Sequence, residues 1–286
     1  MKPACAVGQP PDLREAIAAA LREDLSGGDV TTRCTVPHGT EAGAKLVARE
    51  DLVVCGMSVV RQVFTQVDAT VDCFDFADDG ESVAAGAVLG RLQGPAASLL
   101  AGERTALNLL QRSCGVATQT QAYVAAARGR LRVADTRKTM PGLRALDRYA
   151  VRCGGGHNHR NDLGGGVLIK ENHVRAAGGI SPAVRRARDS APHLLKVACE
   201  VETLDQLDEA IAAGAEIVLL DNMDDDTVRR AVARGQDRVI LEVSGGITLE
   251  RIDVLAELGV DVVSVGALTH SARAADISLL FEAAMS

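Results

Sequence analysis

Aromatic side chains are nearly missing from this 286-residue chain, which has no Trp, two Tyr and four Phe. Platforms on which nucleic-acid bases could stack are therefore not expected. A basic excess is missing too. The chain has 31 Lys and Arg against 38 Asp and Glu, a formal net charge of -7, which argues against a nucleic-acid partner whose phosphates need a net basic face. No two of the seven cysteines (Cys5, Cys34, Cys55, Cys73, Cys114, Cys153, Cys199) stand at Cys-x-x-Cys spacing. Odd in number and scattered, they read as reduced thiols of a cytoplasmic protein, not as a disulfide framework or a zinc site. Long apolar runs are also lacking. None approaches the roughly 18 residues of a membrane span, and Pro10-Pro11 interrupts the N-terminal stretch before a signal-length apolar core develops. A soluble chain without a membrane partner is expected, long enough for one large α/β domain or two smaller ones.

What the chain does have is a dense patch of positive charge. Between residues 128 and 160 stand nine Lys or Arg (Arg128, Arg130, Arg132, Arg137, Lys138, Arg144, Arg148, Arg152, Arg160) against two acids, Asp135 and Asp147, a local balance of +7. The stretch includes Asp135-Thr136-Arg137-Lys138-Thr139 and Gly154-Gly155-Gly156-His157-Asn158-His159-Arg160, and is followed by Val167-Leu168-Ile169-Lys170-Glu171-Asn172-His173. Cations crowded among glycines in an acidic protein suggest a pocket for a small polyanion.

Along the chain, residues 12–25 read as a helix with Asp12 as N-cap and Ile17, Leu21 and Leu25 on one face. Short strands at 45–49 and 51–55, a helix over 58–66 and an alternating strand at 71–76 make a small α+β module. A helix is expected over 96–111 and, after a break at Gly115, a second over about 118–127; the domain junction is placed near residue 110. From Leu131 onward, short apolar runs alternate with amphipathic helices, and each run ends in a distinctive residue. The ends are Asp135, Lys170, Glu200, Asp221, Ser244-Gly245-Gly246 and Gly266. Six βα units in series imply a parallel sheet. With functional-looking residues at every strand end, a barrel with one shared mouth is favoured over a doubly wound sheet. Six units are fewer than eight, so the barrel is expected to be incomplete.

Each motif has more than one chemical reading. Arg137, Lys138 and Arg160 suit carboxylates, because a guanidinium fork donates parallel charge-assisted bonds of roughly 1.5–3 kcal/mol each. His157-Asn158-His159 resembles a metal pair but lacks an obvious third ligand, so a hydrogen-bonding role is preferred. Lys170 is open between Schiff-base nucleophile, anion ligand and structural ion-pair partner. Glu200 and Asp221, at consecutive strand ends, suit Mg²⁺ or sugar hydroxyls, with salt bridges to the basic cluster as the alternative. Asp224-Asp225-Asp226 reads as a helix start. Ser244-Gly245-Gly246 and Gly266-Ala267 suit a phosphate, whose oxygens backbone N–H groups can approach there.

Together these blocks resemble the quinolinate phosphoribosyltransferases, also called nicotinate-nucleotide pyrophosphorylases (carboxylating). Further matching pieces are Glu103-Arg104-Thr105 with Leu107-Asn108, Gly115-Val116-Ala117-Thr118, Pro141-Gly142-Leu143-Arg144 and Val265-Gly266-Ala267-Leu268-Thr269-His270-Ser271. The resemblance implies an N-terminal α/β sandwich domain (residues 1–110), a C-terminal incomplete, TIM-like α/β barrel (111–270) and a C-terminal helix packing back on the N-terminal domain (271–286). It implies a homodimer in which one subunit's N-terminal domain covers the other's barrel mouth. The implied reaction joins quinolinate to phosphoribosyl pyrophosphate with Mg²⁺, giving nicotinate mononucleotide, pyrophosphate and CO₂ in NAD biosynthesis. By the same resemblance Arg137, Arg160, Lys170 and His159, with Arg104 of the partner subunit, hold the two carboxylates of quinolinate. Lys138 serves the pyrophosphate side, Glu200 and Asp221 the ribose and Mg²⁺, and Ser244, Gly245, Gly246, Gly266 and Ala267 the 5′-phosphate. Lys170 is then an anion ligand and not a Schiff base.

The chain departs from the family pattern at Asn161-Asp162-Leu163-Gly164-Gly165-Gly166, where an apolar residue usually replaces Asn161 and an acid often stands near Gly165. The loop length is kept, and the triple glycine suggests a more mobile mouth. Two rival functions follow from the same residues. A nicotinate phosphoribosyltransferase handles one carboxylate and releases no CO₂, which the surplus of cations disfavours. A phosphate-binding barrel serving as a ligand sensor need not keep Arg104, Lys170 and Glu200 together, and this chain keeps all three.

Overall fold

The computed structural model describes residues 8–282. The expectations placed on residues 1–7 and 283–286 fall outside them. The chain divides into two units, one of Met1–Gln121, Thr139–Gly155 and Leu268–Ser286, the other of Ala122–Lys138 and Gly156–Ala267.

The first unit opens with α1 (Arg14–Leu25), in which Ile17 and Leu21 are buried, and α2 (Val30–Thr35), capped by the Asp29 carboxylate on the Thr32 N–H. The expected N-cap at Asp12 is corrected, because Leu13 holds that position without a side-chain bond and α1 begins at Arg14, while Asp12 one residue earlier accepts from the Arg14 N–H. There follow β1 (Glu41–Ala48), β2 (Leu52–Val53), α3 (Met57–Val67), β3 (Asp72–Phe74), β4 (Ser82–Val83) and β5 (Val88–Pro95). One face of α3, with Val59, Val60, Val63 and Phe64, is buried in the core. Each such side chain contributes about 1.5–3 kcal/mol by leaving water. Next comes α4 (Ala96–Ala127), a single helix of 32 residues. The expected break at Gly115 is therefore corrected. Gly115 is helical, and a Cβ there would lie 1.9 Å from the Arg273 carbonyl oxygen, so glycine admits a close backbone neighbour instead of ending the helix.

Chain order continues with β6 (Arg132–Ala134), α5 (Arg144–Cys153), β7 (Val167–Ile169), α6 (Glu171–Ala177), α7 (Ile180–Ser190) and β8 (Val197–Val201). It closes with α8 (Leu204–Ala213), β9 (Ile217–Asp221), α9 (Asp225–Gly235), β10 (Ile240–Ser244), α10 (Leu249–Leu258), β11 (Val262–Ser264), α11 (Ala267–His270) and β12 (Ile277–Phe281). The Asp224 carboxylate caps α9 by accepting from the Thr227 N–H. Among the described residues no helix is long and apolar enough to cross a membrane.

The sheet of the first unit runs β12-β1-β5-β3. Its edge corrects a second expectation, because residues 277–281 form a strand antiparallel to β1 and not a helix. Ile277 and Leu279 are buried while Ser278 and Leu280 are half-buried, a period of two that fits a strand. The segment returns to the N-terminal sheet, as a helix was expected to do. The segment 139–155, which carries α5, also belongs to this unit, so the barrel is not the continuous 111–270 expected.

The second unit holds six parallel strands in the order β6-β11-β10-β9-β8-β7. Neighbours follow the chain from β7 to β11, and β6 then joins β11. That is the order of a barrel wound in one direction, and it lacks the reversal of a doubly wound sheet. Between β6 and β7 the barrel is incomplete. There His157 pairs in parallel with Ala134 and prolongs the β6 side.

Candidate active site

The site begins at Asp135, wholly buried just beyond β6. Its N–H donates to the His157 carbonyl (3.0 Å), and the His157 N–H donates to Val133 (2.8 Å), which lays residue 157 along the strand. The Asp135 carboxylate then accepts from the His159 N–H at Oδ1 and from the Asn158 amide at Oδ2, both at 2.6 Å. The His-Asn-His-Arg loop thus hangs from one buried acid. The Arg160 N–H donates to His159 Nδ1 (2.7 Å), so a neutral His159 carries its proton on Nε2. His159 Nε2 faces Glu242 Oε1 at 3.6 Å. Among the described residues no group of three or more His, Cys, Asp or Glu side chains is arranged to hold a metal.

Arg137, Lys138, His159, Arg160 and Lys170 line one cavity of about 440 Å³ at the carboxyl ends of the strands, together with Glu200, Asp221, Ser244, Gly245 and Gly246. Arg160 donates to the Gly166 carbonyl (2.9 Å), which ties the two ends of the triple-glycine loop together. Asp162 accepts from the Gly164 N–H (2.9 Å) within the same loop. These bonds give the loop a defined course despite its glycines. Burial and then the neighbouring Arg137 charge push the Arg160 guanidinium below its ordinary range, as expected for cations held close together.

Lys170 Nζ lies 2.6 Å from Glu200 Oε2. That favours an ion-pair role over a Schiff base, and two further ammonium donors remain for an anion. Burial first, and then the Glu200 charge, raise the Asp221 carboxyl above its usual range, while Lys170 and Lys138 act in the opposite direction. A cation placed between Glu200 and Asp221 would relieve this strain. Two carboxylates suit Mg²⁺ in particular, because Mg²⁺ keeps several waters and is held by one or two carboxylates plus substrate phosphates.

Ser244 ends β10, and Gly245 and Gly246 follow with φ of 86° and 59°. A Cβ on Gly245 would come within 2.2 Å of Asn222 Oδ1, whereas one on Gly246 would meet nothing within 4 Å. The turn is therefore packed on one side and open on the other, the form of a backbone anion cradle. Gly266 and Ala267 stand just beyond β11, with Ala267 opening α11, but they are not among the residues that line the cavity. Ser264 lines it instead, unforeseen from the sequence. Arg104 is exposed on α4 in the first unit.

The basic stretch is divided between the two units. Of its nine cations, Arg137, Lys138 and Arg160 line the mouth. Arg128 and Arg130 pair with Asp253 (3.2 and 2.5 Å), and Arg144, Arg148 and Arg152 ride on α5 in the other unit. Sequence reasoning also passed over Glu242, which is 4% exposed and sits in the run Ile240-Leu241-Glu242-Val243. The signal was available, since a lone charge in an apolar strand of a parallel sheet is costly to bury unless it has a task.

This is the equipment of a barrel enzyme that handles a sugar phosphate beside an anionic co-substrate. Comparison with known proteins narrows it further. The model of the quinolinate phosphoribosyl transferase N-terminal domain matches residues 29–114, and that of the C-terminal domain matches residues 116–280. Nicotinate-nucleotide pyrophosphorylase [carboxylating] of Mycobacterium leprae is 46% identical over 276 residues, spanning 93% of this chain and 96% of that one. A probable nicotinate-nucleotide pyrophosphorylase [carboxylating] of Bacillus subtilis is 42% identical over 258 residues, 90% of this chain and 89% of its own. Among solved structures, the nicotinate-nucleotide pyrophosphorylase of Francisella tularensis superposes with a TM-score of 0.91 at 38% identity, covering 96% of this chain and 99% of that one. The chain belongs to the quinolinate phosphoribosyl transferase family, as its motifs implied.

Proposed function

We propose that this protein converts quinolinate and phosphoribosyl pyrophosphate to nicotinate mononucleotide, pyrophosphate and CO₂, a step of NAD biosynthesis. The observation that carries this reading is one barrel mouth that gathers Arg137, Arg160 and Lys170 beside the paired acids Glu200 and Asp221. Quinolinate is a dianion, and two guanidinium forks with an ammonium match two carboxylates. The quinolinate ring nitrogen attacks C1 of the ribose, and the bond from that carbon to the pyrophosphate oxygen breaks. Glu200 and Asp221 face the ribose, where they suit the positive charge that develops as pyrophosphate departs. They are also the residues that would hold Mg²⁺, which when bound neutralises charge on the pyrophosphate. Lys138 serves the same leaving group. The glycine turn at Ser244-Gly245-Gly246, with Gly266 and Ala267 beyond the next strand, seats the 5′-phosphate.

Ribosylation leaves a pyridinium, and the carboxylate on the carbon next to the ring nitrogen then departs as CO₂. The bonding electrons remain on that ring carbon, which takes up a proton. For this step the protein chiefly holds the ring in place and excludes water. The working unit is a homodimer in which Arg104 of the partner subunit completes the quinolinate site. The six described cysteines are all free thiols, which supports a reducing compartment such as the cytoplasm.

The direct test supplies phosphoribosyl pyrophosphate with quinolinate and, separately, with nicotinate while following pyrophosphate and CO₂. Quinolinate should release the two products in equal amounts. Turnover of nicotinate with no turnover of quinolinate would overturn the proposal in favour of a nicotinate phosphoribosyltransferase.

A further inference from the structure

The barrel interior holds a carboxylate that this chemistry does not use. Glu242 lies at the middle of β10, in register with Leu219 of β9 and Val262 of β11. Side chains two apart on a strand share a face, so Glu242 points inward like Ser244, which lines the mouth. Its Oε1 is fully buried and accepts no hydrogen bond in the structure. Glu242 also lines a second cavity, of about 410 Å³, whose walls include His157, Val167, Ala198, Ile217 and Val262. It therefore stands at the partition between the mouth and a second hollow along the open side of the barrel, whose walls also carry Arg132, His159, Arg160 and Lys196. A carboxylate oxygen placed there without a donor is costly to the fold. Its ion-pair contact is with the His159 ring, with Nε2 at 3.6 Å, slightly beyond good hydrogen-bonding range.

We propose that Glu242 is a positioning residue that sets how His159 and Arg160 are presented to quinolinate. His159 Nδ1 already takes the Arg160 N–H, so the ring proton sits on Nε2 and is directed at Glu242. Glu242, the imidazole and the Arg160 backbone line up from the barrel interior toward the mouth, with the bond from the Arg160 N–H to His159 Nδ1 made and the Glu242 contact still open at 3.6 Å. Glu242 fixes the ring from within, and the ring fixes the backbone from which Arg160 reaches the substrate. A slight shift of the loop on ligand binding would close the 3.6 Å gap into a charge-assisted bond. This inference rests on the proposed quinolinate reaction.

The test measures steady-state kinetics of the full-length protein with Glu242→Leu and Glu242→Gln, alongside ¹⁵N NMR of histidine-labelled protein, with His159 assigned by its loss in His159→Gln. Leu fills the space but accepts nothing, so the KM for quinolinate should rise about tenfold while that for phosphoribosyl pyrophosphate stays within about twofold. Gln keeps an acceptor oxygen and should restore most of the loss. The His159 signals should report a proton on Nε2 in the native protein and in Glu242→Gln, and a mixture of tautomers in Glu242→Leu. An unchanged quinolinate KM with an unchanged tautomer in folded Glu242→Leu overturns the inference. If that variant does not fold, an unshifted His159 Nε2 resonance in Glu242→Gln overturns it. Failure of the native protein to use quinolinate is a separate outcome, which rejects the reaction itself.

Discussion

Replacing Asp135 by Asn tests how firmly one buried acid holds the substrate-facing loop. The carboxylate accepts two bonds of 2.6 Å, from the His159 N–H and the Asn158 amide. An asparagine at 135 keeps one acceptor oxygen but presents an NH₂ group where the second oxygen stood. Asn158 must then turn its own amide to restore a donor–acceptor pair. Even with both contacts remade, two charge-assisted bonds become neutral ones. Bonds to charged groups contribute about 1.5–3 kcal/mol and neutral ones about 0.5–1.5 kcal/mol, so the loss is about 2–3 kcal/mol. Asp135 is wholly buried, so solvent does not make up the difference. Where that loss appears as misplacement of His159 and Arg160, quinolinate binding weakens by about thirtyfold to somewhat over a hundredfold, at about 1.4 kcal/mol per tenfold. The assay is initial rate against quinolinate at saturating phosphoribosyl pyrophosphate, well below the melting temperature of the variant. The KM for phosphoribosyl pyrophosphate should hold, because the glycine turn at Gly245 hangs from a different strand. A quinolinate KM within twofold of the native value, with kcat also unchanged, would refute the reasoning.

Arg137→Ala should abolish quinolinate binding, and calorimetry showing native affinity in that variant would contradict its place in the site. Arg104→Ala and Lys170→Ala should each be inactive alone yet partly active when mixed and re-dimerised, because a mixed dimer restores one site with both residues intact; mixtures that stay dead while each homodimer folds count against a shared site. Asp221→Asn should lose activity while melting at a higher temperature than the native protein. The Asp221 carboxyl is raised by burial and by Glu200, so holding it ionised at neutral pH opposes folding. The gain should be present at pH 7 and fade as the pH falls through the carboxylate range, where the native side chain becomes protonated in both states. A melting temperature that falls at pH 7 would show that Asp221 is held by partners stronger than its neighbours suggest.

The barrel was legible because every strand is a short apolar run stopped by a polar residue or glycine, a pattern local enough to read from neighbours alone. Asp221 after Val218-Leu219-Leu220 and Ser244 after Val243 are placed by that logic, and both reach the same cavity. The departures all depend on partners distant in sequence. Gly115 looked like a helix break, yet its missing Cβ answers a backbone carbonyl at Arg273, 158 residues away by number. The helix expected over 271–286 came from the resemblance and not from the residues, whose alternation at 277–281 suits a strand; pairing with β1 decides the matter. The basic run from Arg128 to Arg160 is continuous in number but split between the two units, because the segment 139–155 belongs to the first. Asp135 was read as part of a motif, but the two bonds that give it a purpose arise only once residue 157 is laid beside β6.

The electrostatics of the mouth separate a catalytic arrangement from a stabilising one. A network built for stability alternates its signs, so that each charge lowers the energy of the next. Here like charges are held together: burial first and then Arg137 depress the Arg160 guanidinium, and burial first and then Glu200 raise the Asp221 carboxyl. The Lys170–Glu200 pair joins the cationic side to the acidic one. Such repulsion persists only where the surrounding fold enforces it, and Asp135 beneath the loop and the register of β8, β9 and β10 do so. On the proposed assignment each half would be relieved by a ligand of the opposite sign, a dianion on one side and a sugar carbon becoming positive on the other. On the proposed reaction the two relieving charges would be those of the reactants, so the placement would favour the reaction and not merely the binding of one of them.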